Sequence, residues 1–585
     1  MGRRWRLVSG AALAGGKAQV NLTIDQPQLW WVNNLGAQPL YDVAVTLHDG
    51  AGKRLDGWTR RIGLRTLTLE RHADQWGESF YFACNGVPFF AKGANWIPAT
   101  PYPGQPVDYE ALVRAAAEAN MNMLRVWGGG VYEDDAFYDT CDQYGIAIWQ
   151  DFMFACGTYP SFDADFMANV KAEAQDNIRR LRHHACMALW CGNNEIEQGM
   201  PDSAGWQESM SWADYSRLFD ELLPSIAQEL APQTAYWPGS PHTSLGDRSD
   251  HRSPDSGDTH LWDVWHGKKP FEWYHTRLDR FVSEFGFQSF PEPETVAEFT
   301  LPEDRNITSY VMEHHQRSGI GNSTIIHYLL DWYRLPTSFE ATLWLSQILQ
   351  GMAMKYAVEG WRRNMPRSMG ALYWQHNDMW PAPSWASLDW KGNWKALHYM
   401  AKRFFAPTMI SGVENVEGGS VAVHISSDVQ TEQRGTVEYV ITDAQGTALE
   451  RGEFPVSIAP AATGVARTLD VSAHLSQKSA RDVLVWLTLR SDGAKVSEDL
   501  TLFCRPKHLT LRQPHIQTQV QAAGDGQYEV TLTTDSTALY TWLELHGAKF
   551  SDNFVHLRPD APVTIRVSAA DVSALKVRSL FDTYQ

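Results

Sequence analysis

Apolar and polar positions change their period twice along this chain. Up to about residue 70 they alternate in twos, as in Ala18-Gln19-Val20-Asn21-Leu22-Thr23-Ile24 and Tyr41-Asp42-Val43-Ala44-Val45-Thr46-Leu47, with turn signals at Gly15-Gly16 and Asp49-Gly50-Ala51-Gly52. Such alternation predicts half-buried strands, here a partial β-sandwich over residues 1–70. From Phe80 short apolar runs alternate with amphipathic segments of helical period, which predicts βα units around a parallel sheet. Beyond residue 408 the period of two returns, in Ser420 to Ile425, Val483 to Thr488 and Tyr528 to Leu532. Two further sandwiches are expected there, over 409–505 and 506–585, divided near Pro506.

The middle section can be counted out. Strands are expected at 88–93, 121–127, 147–151, up to Glu195, 235–240, 258–262, up to Glu284, and 370–375. Between them lie helices such as the one opened by Asp108 and the one closed by Gly145. Eight βα units predict a multidomain chain with a central (β/α)8 TIM barrel over 71–408, flanked by sandwich domains.

Chemistry belongs at the C-terminal mouth of such a barrel, and two strands deliver a glutamate to it. One is the run Met187 to Trp190 that passes through Cys191-Gly192-Asn193-Asn194 to Glu195; the other is Phe281-Val282-Ser283 ending in Glu284, 89 positions later. A lone glutamate at a strand end is usually a solvated charge. Two on one closed sheet, with Asn194 beside one and Arg125 on the second strand, form the facing carboxylate pair that glycosidic bond cleavage requires.

Charge and composition narrow the partners. A net charge of −18 offers no basic excess for a nucleic acid, and no apolar run spans a bilayer. Six cysteines without zinc-type spacing read as free thiols, and no cofactor or metal is expected. His183-His184 read as polar caps at a helix end, and Gly128-Gly129-Gly130 as a loop that keeps the mouth open, lacking any phosphate-cradle spacing. Asn306-Ile307-Thr308 fits a glycosylation pattern too common to argue for secretion. Arg3, Arg4 and Arg6 before Leu7 to Ala14 loosely imitate a leader, but the apolar stretch is short and broken by Ser9 and Gly10, which leans toward a cytoplasmic protein with the compartment open. Of 25 tryptophans, 18 fall between Trp96 and Trp394, where ring faces at the mouth could stack on sugars.

The assembled motifs resemble the β-mannosidases of glycoside hydrolase family 2. The resemblance rests on Phe90-Ala91-Lys92-Gly93-Ala94-Asn95-Trp96-Ile97-Pro98, Arg125 to Gly130, Trp190 to Glu195, Ser283 to Ser289, and Tyr373-Trp374-Gln375 with Asn377 to Pro381. It extends to Arg61 to Arg65 and Ser551 to Phe554. It implies immunoglobulin-like sandwiches around the barrel and a retaining, exo-acting hydrolase that removes terminal non-reducing β-D-mannose. Glu195 would be the acid/base and Glu284 the nucleophile, with Asn194 on the sugar 2-hydroxyl and Trp127, Trp206 and Trp374 as pocket walls. His260 or His266 would stand where a sixth-strand group bonds the nucleophile, and Arg125 would keep Glu284 ionised. The partners implied are β-mannoside oligosaccharides or glycoconjugates, with no membrane or nucleic acid, and a homo-oligomer is possible.

The family also begins with a sugar-binding sandwich that contributes an Asp and a Trp to the mannose site, whereas this sequence is expected to start inside the domain that follows. The pocket is therefore expected to be more open and turnover slower than with that domain restored. Two alternatives stay open: a family-2 hydrolase for another β-glycoside, and a catalytically weak carbohydrate-binding fragment.

Overall fold

The computed structural model describes residues 9–585, apart from 103, 203, 204, 246, 247 and 249. Its centre is a curled sheet of eight parallel strands: Ala91–Trp96, Met123–Val126, Ala147–Asp151, Met187–Cys191, Ala235–Trp237, Thr259–Leu261, Val282–Phe285 and Gly370–Tyr373. Backbone ladders run from the fifth strand back through the first, then on through the eighth and seventh to the sixth. Parallel ladders of this kind need helical crossovers, which cover the outer face. Asp108 caps the helix Tyr109–Glu118 by accepting from Ala111 N–H, and Gly145, at φ 72°, ends Asp135–Tyr144 in the left-handed turn that suits glycine.

The sheet wraps tightly enough that small residues are required at its contacts. A Cβ on Gly93 would stand 1.7 Å from the Met123 carbonyl oxygen, and one on Gly370 would stand 2.1 Å from the Phe281 ring. The fifth and sixth strands share no ladder among the described residues; an isolated bridge between His242 and Asp258 and several side-chain bonds close that seam instead. Asp258 accepts from Trp237 Nε1 at 2.8 Å and from Ser240 Oγ at 2.6 Å, bonds that reach back across the gap.

The first barrel strand begins three residues later than the pattern suggests. Val87–Phe89 instead pairs with Tyr81–Cys84, which pairs with Leu67–Glu70, and this small antiparallel sheet plugs the barrel floor. Phe80, Phe82 and Phe89 pack there with Trp149, Trp237 and Phe281, all fully or nearly fully buried. Phe80 lies 4.9 Å from Trp237 and 5.4 Å from Phe281, edge-on. The floor gives the site above it a rigid base.

Toward the N-terminus, Tyr41–His48 and Arg54–Ile62 form a two-stranded ribbon where a partial sandwich is expected. Residues 18–24, expected as a strand, join no sheet among the described residues, and nearly all their side chains are exposed. Val45, Leu47, Leu55 and Trp58 of the ribbon are exposed too, so no buried face organises further pairing. Trp30 and Val32, by contrast, are wholly buried against the barrel floor.

The C-terminal part carries two pairs of stacked sheets. Three strands (Thr408–Asn415, Ser420–Ser427, Thr463–Asp470) face four (Ala448–Ile458, Gln433–Asp443, Val483–Ser491, Ala494–Leu502) over one apolar core. A smaller pair follows from Ile516 onward around Val530, Leu543 and Ile565. The first pair is fastened to the barrel by Lys92, whose Nζ lies 2.8 Å from Asp428, and by Arg362, 3.1 Å from the same carboxylate. No helix among the described residues is long and apolar enough to cross a membrane.

Candidate active site

Glu195 follows the fourth strand, and the chain there is stitched on both sides after the ladder ends. Asn194 N–H donates to Phe154 O at 2.9 Å and Glu195 N–H donates to Ser240 O at 2.8 Å. Consecutive side chains of a strand point to opposite faces. Glu195 escapes that rule through its φ of 58°, a left-handed conformation that a residue bearing a Cβ rarely adopts without support, and the stitching supplies the support. Asn194 and Glu195 therefore both serve the mouth.

Glu284 lies on the seventh strand with its side chain 4% exposed, against 20% for Glu195. One oxygen from each, together with a nitrogen of His260, lie within 4.8 Å of one another. His260 Nδ1 is 2.8 Å from Glu195 Oε1 and 3.4 Å from Glu284 Oε2. The ring expected near the nucleophile thus bridges both carboxylates and sits closer to Glu195.

Arg125 is fully buried beneath them. Its Nη1 donates to Glu284 Oε1 at 2.6 Å and to Asn95 Oδ1 at 2.8 Å; its Nη2 donates to Asp151 Oδ2 at 2.7 Å and to Asn194 Oδ1 at 2.6 Å. Five donors in a rigid fork can satisfy this many acceptors, which a lysine cannot. Burial works against its charge, yet Asp151 and Glu284 hold it more firmly protonated than usual.

Cys156 completes the rim beside Glu195. Its Sγ is 3.6 Å from Glu195 Oε2 and accepts from Asn194 Nδ2 at 3.3 Å. Burial of the sulfur and the two carboxylates push its thiol up to about 12, so it remains a hydrogen donor at neutral pH.

The two glutamates are driven apart. Burial opposes ionisation of Glu195, but the hydrogen bond and charge of His260, with Arg125, outweigh it and hold the carboxyl below its ordinary value. Glu284 is raised: burial and the charge of Glu195 outweigh His260 and Arg125. The His260 ring between them is raised as well. Burial lowers it, but Glu284 and Glu195 raise it more, favouring an imidazolium between two carboxylates.

The remaining expected residues divide. Trp127 and Trp374 meet edge-to-face at 5.1 Å. His266 packs 5.5 Å from Trp262, outside the hydrogen-bonded cluster. Trp206 lies over Gly199, where a Cβ would come within 2.1 Å of its ring, and makes no hydrogen bond to either glutamate. His184, expected as a polar cap, is a buried residue with Nδ1 2.8 Å from Asp142 Oδ2. Asp142, His184 and Cys186 also bring three ligand-type atoms within 4.8 Å, but the second Asp142 oxygen is taken by Cys186 N–H at 2.7 Å.

Asn95, Asp151, Cys156, Ser240 and Asp258 were not singled out by sequence. Asn95 is the last residue but one of the first strand and Asp151 the last of the third, so a search for polar side chains at the C-terminal end of every barrel strand finds both.

Comparison with known proteins decides the family. Residues 8–65 match the model described as glycosyl hydrolases family 2, residues 419–508 a mannosidase Ig/CBM-like domain, and residues 511–583 an Ig-fold domain. Beta-mannosidase B of Aspergillus terreus is 32% identical, over 96% of this chain and 70% of that protein. Its counterpart in Aspergillus niger is 33% identical, over 94% and 68%. The chain belongs to the β-mannosidases of glycoside hydrolase family 2. The crystal structure of a beta-D-mannosidase from Dictyoglomus thermophilum superposes with a TM-score of 0.88 at 34% identity, covering 95% of this chain and 68% of that one. An exo-chitosanase of Amycolatopsis orientalis shares the fold, with a TM-score of 0.75 at 17% identity. Family membership fits the sandwiches and the barrel.

Proposed function

We propose that this chain is a retaining, exo-acting β-mannosidase in which Glu284 is the nucleophile and Glu195 the acid/base. The observation that carries the assignment of roles is that one carboxyl oxygen from each glutamate lies within 4.8 Å of the other, while Arg125 donates to Glu284 and not to Glu195. Retaining glycosidases hold their carboxyl groups about 5–5.5 Å apart, too close for a water between them. The buried member is suited to attack the anomeric carbon from beneath, and the more exposed one to meet the leaving group on the solvent side.

In the first step Glu284 bonds the anomeric carbon while Glu195 gives a proton to the departing oxygen. In the second Glu195 takes a proton from water as its oxygen bonds that carbon and Glu284 leaves as a carboxylate. Arg125 stabilises Glu284 when it is charged, at the start and the end of the cycle. Asn194, oriented by Arg125 through its Oδ1, is offered to the sugar 2-hydroxyl, and Trp127 and Trp374 to the sugar faces. The natural substrates we assign are terminal β-mannosides of oligosaccharides or glycoconjugates. The reading is supported by relatives named beta-mannosidase in both the sequence and structure comparisons.

The experiment is release of p-nitrophenol from p-nitrophenyl β-D-mannopyranoside, beside the matching galactoside, glucoside and glucosaminide. The mannoside should be turned over fastest, and Glu284→Gln should abolish the reaction. A folded protein that binds mannosides without turnover, or that prefers another glycoside, overturns the proposal.

A further inference from the structure

The hydrogen bonds around His260 define where one proton sits, an inference that rests on Glu195 being the acid/base. Asp258 accepts from Trp237 Nε1 (2.8 Å), the His242 backbone N–H (3.1 Å), Ser240 Oγ (2.6 Å) and Ser283 Oγ (2.5 Å). Each serine has a single hydroxyl hydrogen, and both are directed at this carboxylate. Ser240 Oγ, 2.9 Å from His260 Nε2, is then left to accept, so Nε2 carries a hydrogen. Nδ1 faces Glu195 Oε1 at 2.8 Å and Glu284 Oε2 at 3.4 Å. Three atoms that can each act as acceptor, held this close, require one proton among them, and the Nδ1–Oε1 line is the shorter.

We propose that the proton delivered by Glu195 rests on Nδ1 of His260 before substrate binds, with Ser240 and Asp258 as positioning residues that fix the ring for this task. This accounts for an otherwise awkward fact: a general acid must be protonated when it meets the leaving group, yet Glu195 is held below its ordinary value. The proton is stored 2.8 Å away, on a ring raised above its own. The charged groups around that ring act from several strands. Glu195 and Glu284 favour the imidazolium, and Arg125, itself neutralised in part by Asp151, opposes it. Asp258 acts through Ser240, Cys156 touches Glu195, and His266 stands within range of the Glu195 charge.

The cycle then balances. As the anomeric C–O bond breaks and Glu284 bonds the carbon, the Nδ1 proton passes to Glu195 and from it to the leaving oxygen, leaving His260 neutral and Glu195 ionised. Esterified Glu284 no longer carries charge, so the ring loses one of the two carboxylates that held the imidazolium. When water attacks, its proton passes to Glu195 and back to Nδ1, and Glu284 is released ionised.

The test is kcat/KM against pH for an alkyl β-mannoside, whose poor leaving group demands protonation, with folding of each variant checked by circular dichroism. In the unmodified protein the basic limb should lie above the ordinary histidine value. In His260→Gln it should fall by roughly one unit or more, because the proton must then rest on a carboxyl group. Ser240→Ala, which keeps the imidazole, should move it the same way by less, and Ser240→Thr should restore it. A uniform loss of rate with an unmoved limb in folded His260→Gln overturns the proposal; if that variant does not fold, an unmoved limb in Ser240→Ala does so. Glu195→Gln separates the two ideas, since retained turnover of the alkyl mannoside there would remove the underlying assignment instead.

Discussion

Arg125 Nη1 lies 2.6 Å from Glu284 Oε1 in a pocket where the arginine has no exposed surface. Such a contact, desolvated and charge-assisted, is among the stronger ones a protein makes. Arg125→Lys can reach at most part of the set formed by Glu284, Asp151, Asn95 and Asn194. Its kcat/KM should fall on the order of 10²-fold or more, as when a preorganised donor is lost. Steady-state kinetics on p-nitrophenyl β-mannoside checks it.

The acid side of the pH profile belongs to Glu284. Burial and the Glu195 charge raise it above the ordinary value of 4.5, and attack requires the ionised form. Activity should therefore fall as pH drops through a value higher than 4.5, not at it. In Arg125→Lys the weakened contact should carry that limb higher still, since less positive charge is held against the carboxylate. A limb that stays in place or moves down would separate Arg125 from the ionisation of Glu284.

Cys156 is exposed at the rim yet its thiol is pushed up to about 12, which makes it a poor nucleophile. N-ethylmaleimide at neutral pH should label it more slowly than free cysteine, followed by mass spectrometry of the Cys156 peptide. Cys156→Ala removes a weak donor to Glu195 Oε2, so Glu195 should become easier to protonate, whereas Cys156→Ser keeps a donor in place.

Trp374→Ala removes the ring that meets Trp127 edge-to-face. Losing one aromatic contact of about 0.5–1.5 kcal/mol corresponds to a few- to roughly tenfold rise in KM, with kcat less affected. Substrate titration of the initial rate distinguishes this from a loss in kcat.

The barrel joins the first C-terminal sandwich at a buried charge cluster. Asp428→Asn leaves Lys92 and Arg362 facing each other without their shared carboxylate, and removal of one partner from a buried ion pair costs about 3–5 kcal/mol. Lys92→Met should cost less, because Arg362 still pairs with Asp428. Urea unfolding followed by tryptophan fluorescence would show both.

Much of this was legible in the chain. Period and strand-end residues located Glu195 and Glu284, and Asp108 and Gly145 marked helix ends where they occur, because these features depend on neighbours in sequence. The register of the first barrel strand was not legible, since Val87–Phe89 is as apolar as a barrel strand but pairs below it. Nor was the proton arrangement at His260: its partners Ser240, Glu195 and Glu284 come from other strands and meet it only after the sheet has curled. Residues 18–24 show the opposite failure, alternation with no surface to bury against.

The seam between the fifth and sixth strands has a mechanical consequence. A hoop of backbone ladders is closed at one point by a single bridge and a clasp of side chains, and Asp258 is both part of that clasp and the anchor of the Ser240–His260 chain. One carboxylate thus ties two strands together and holds Ser240 against the imidazole, so closure of the barrel and aim of the ring depend on the same side chain.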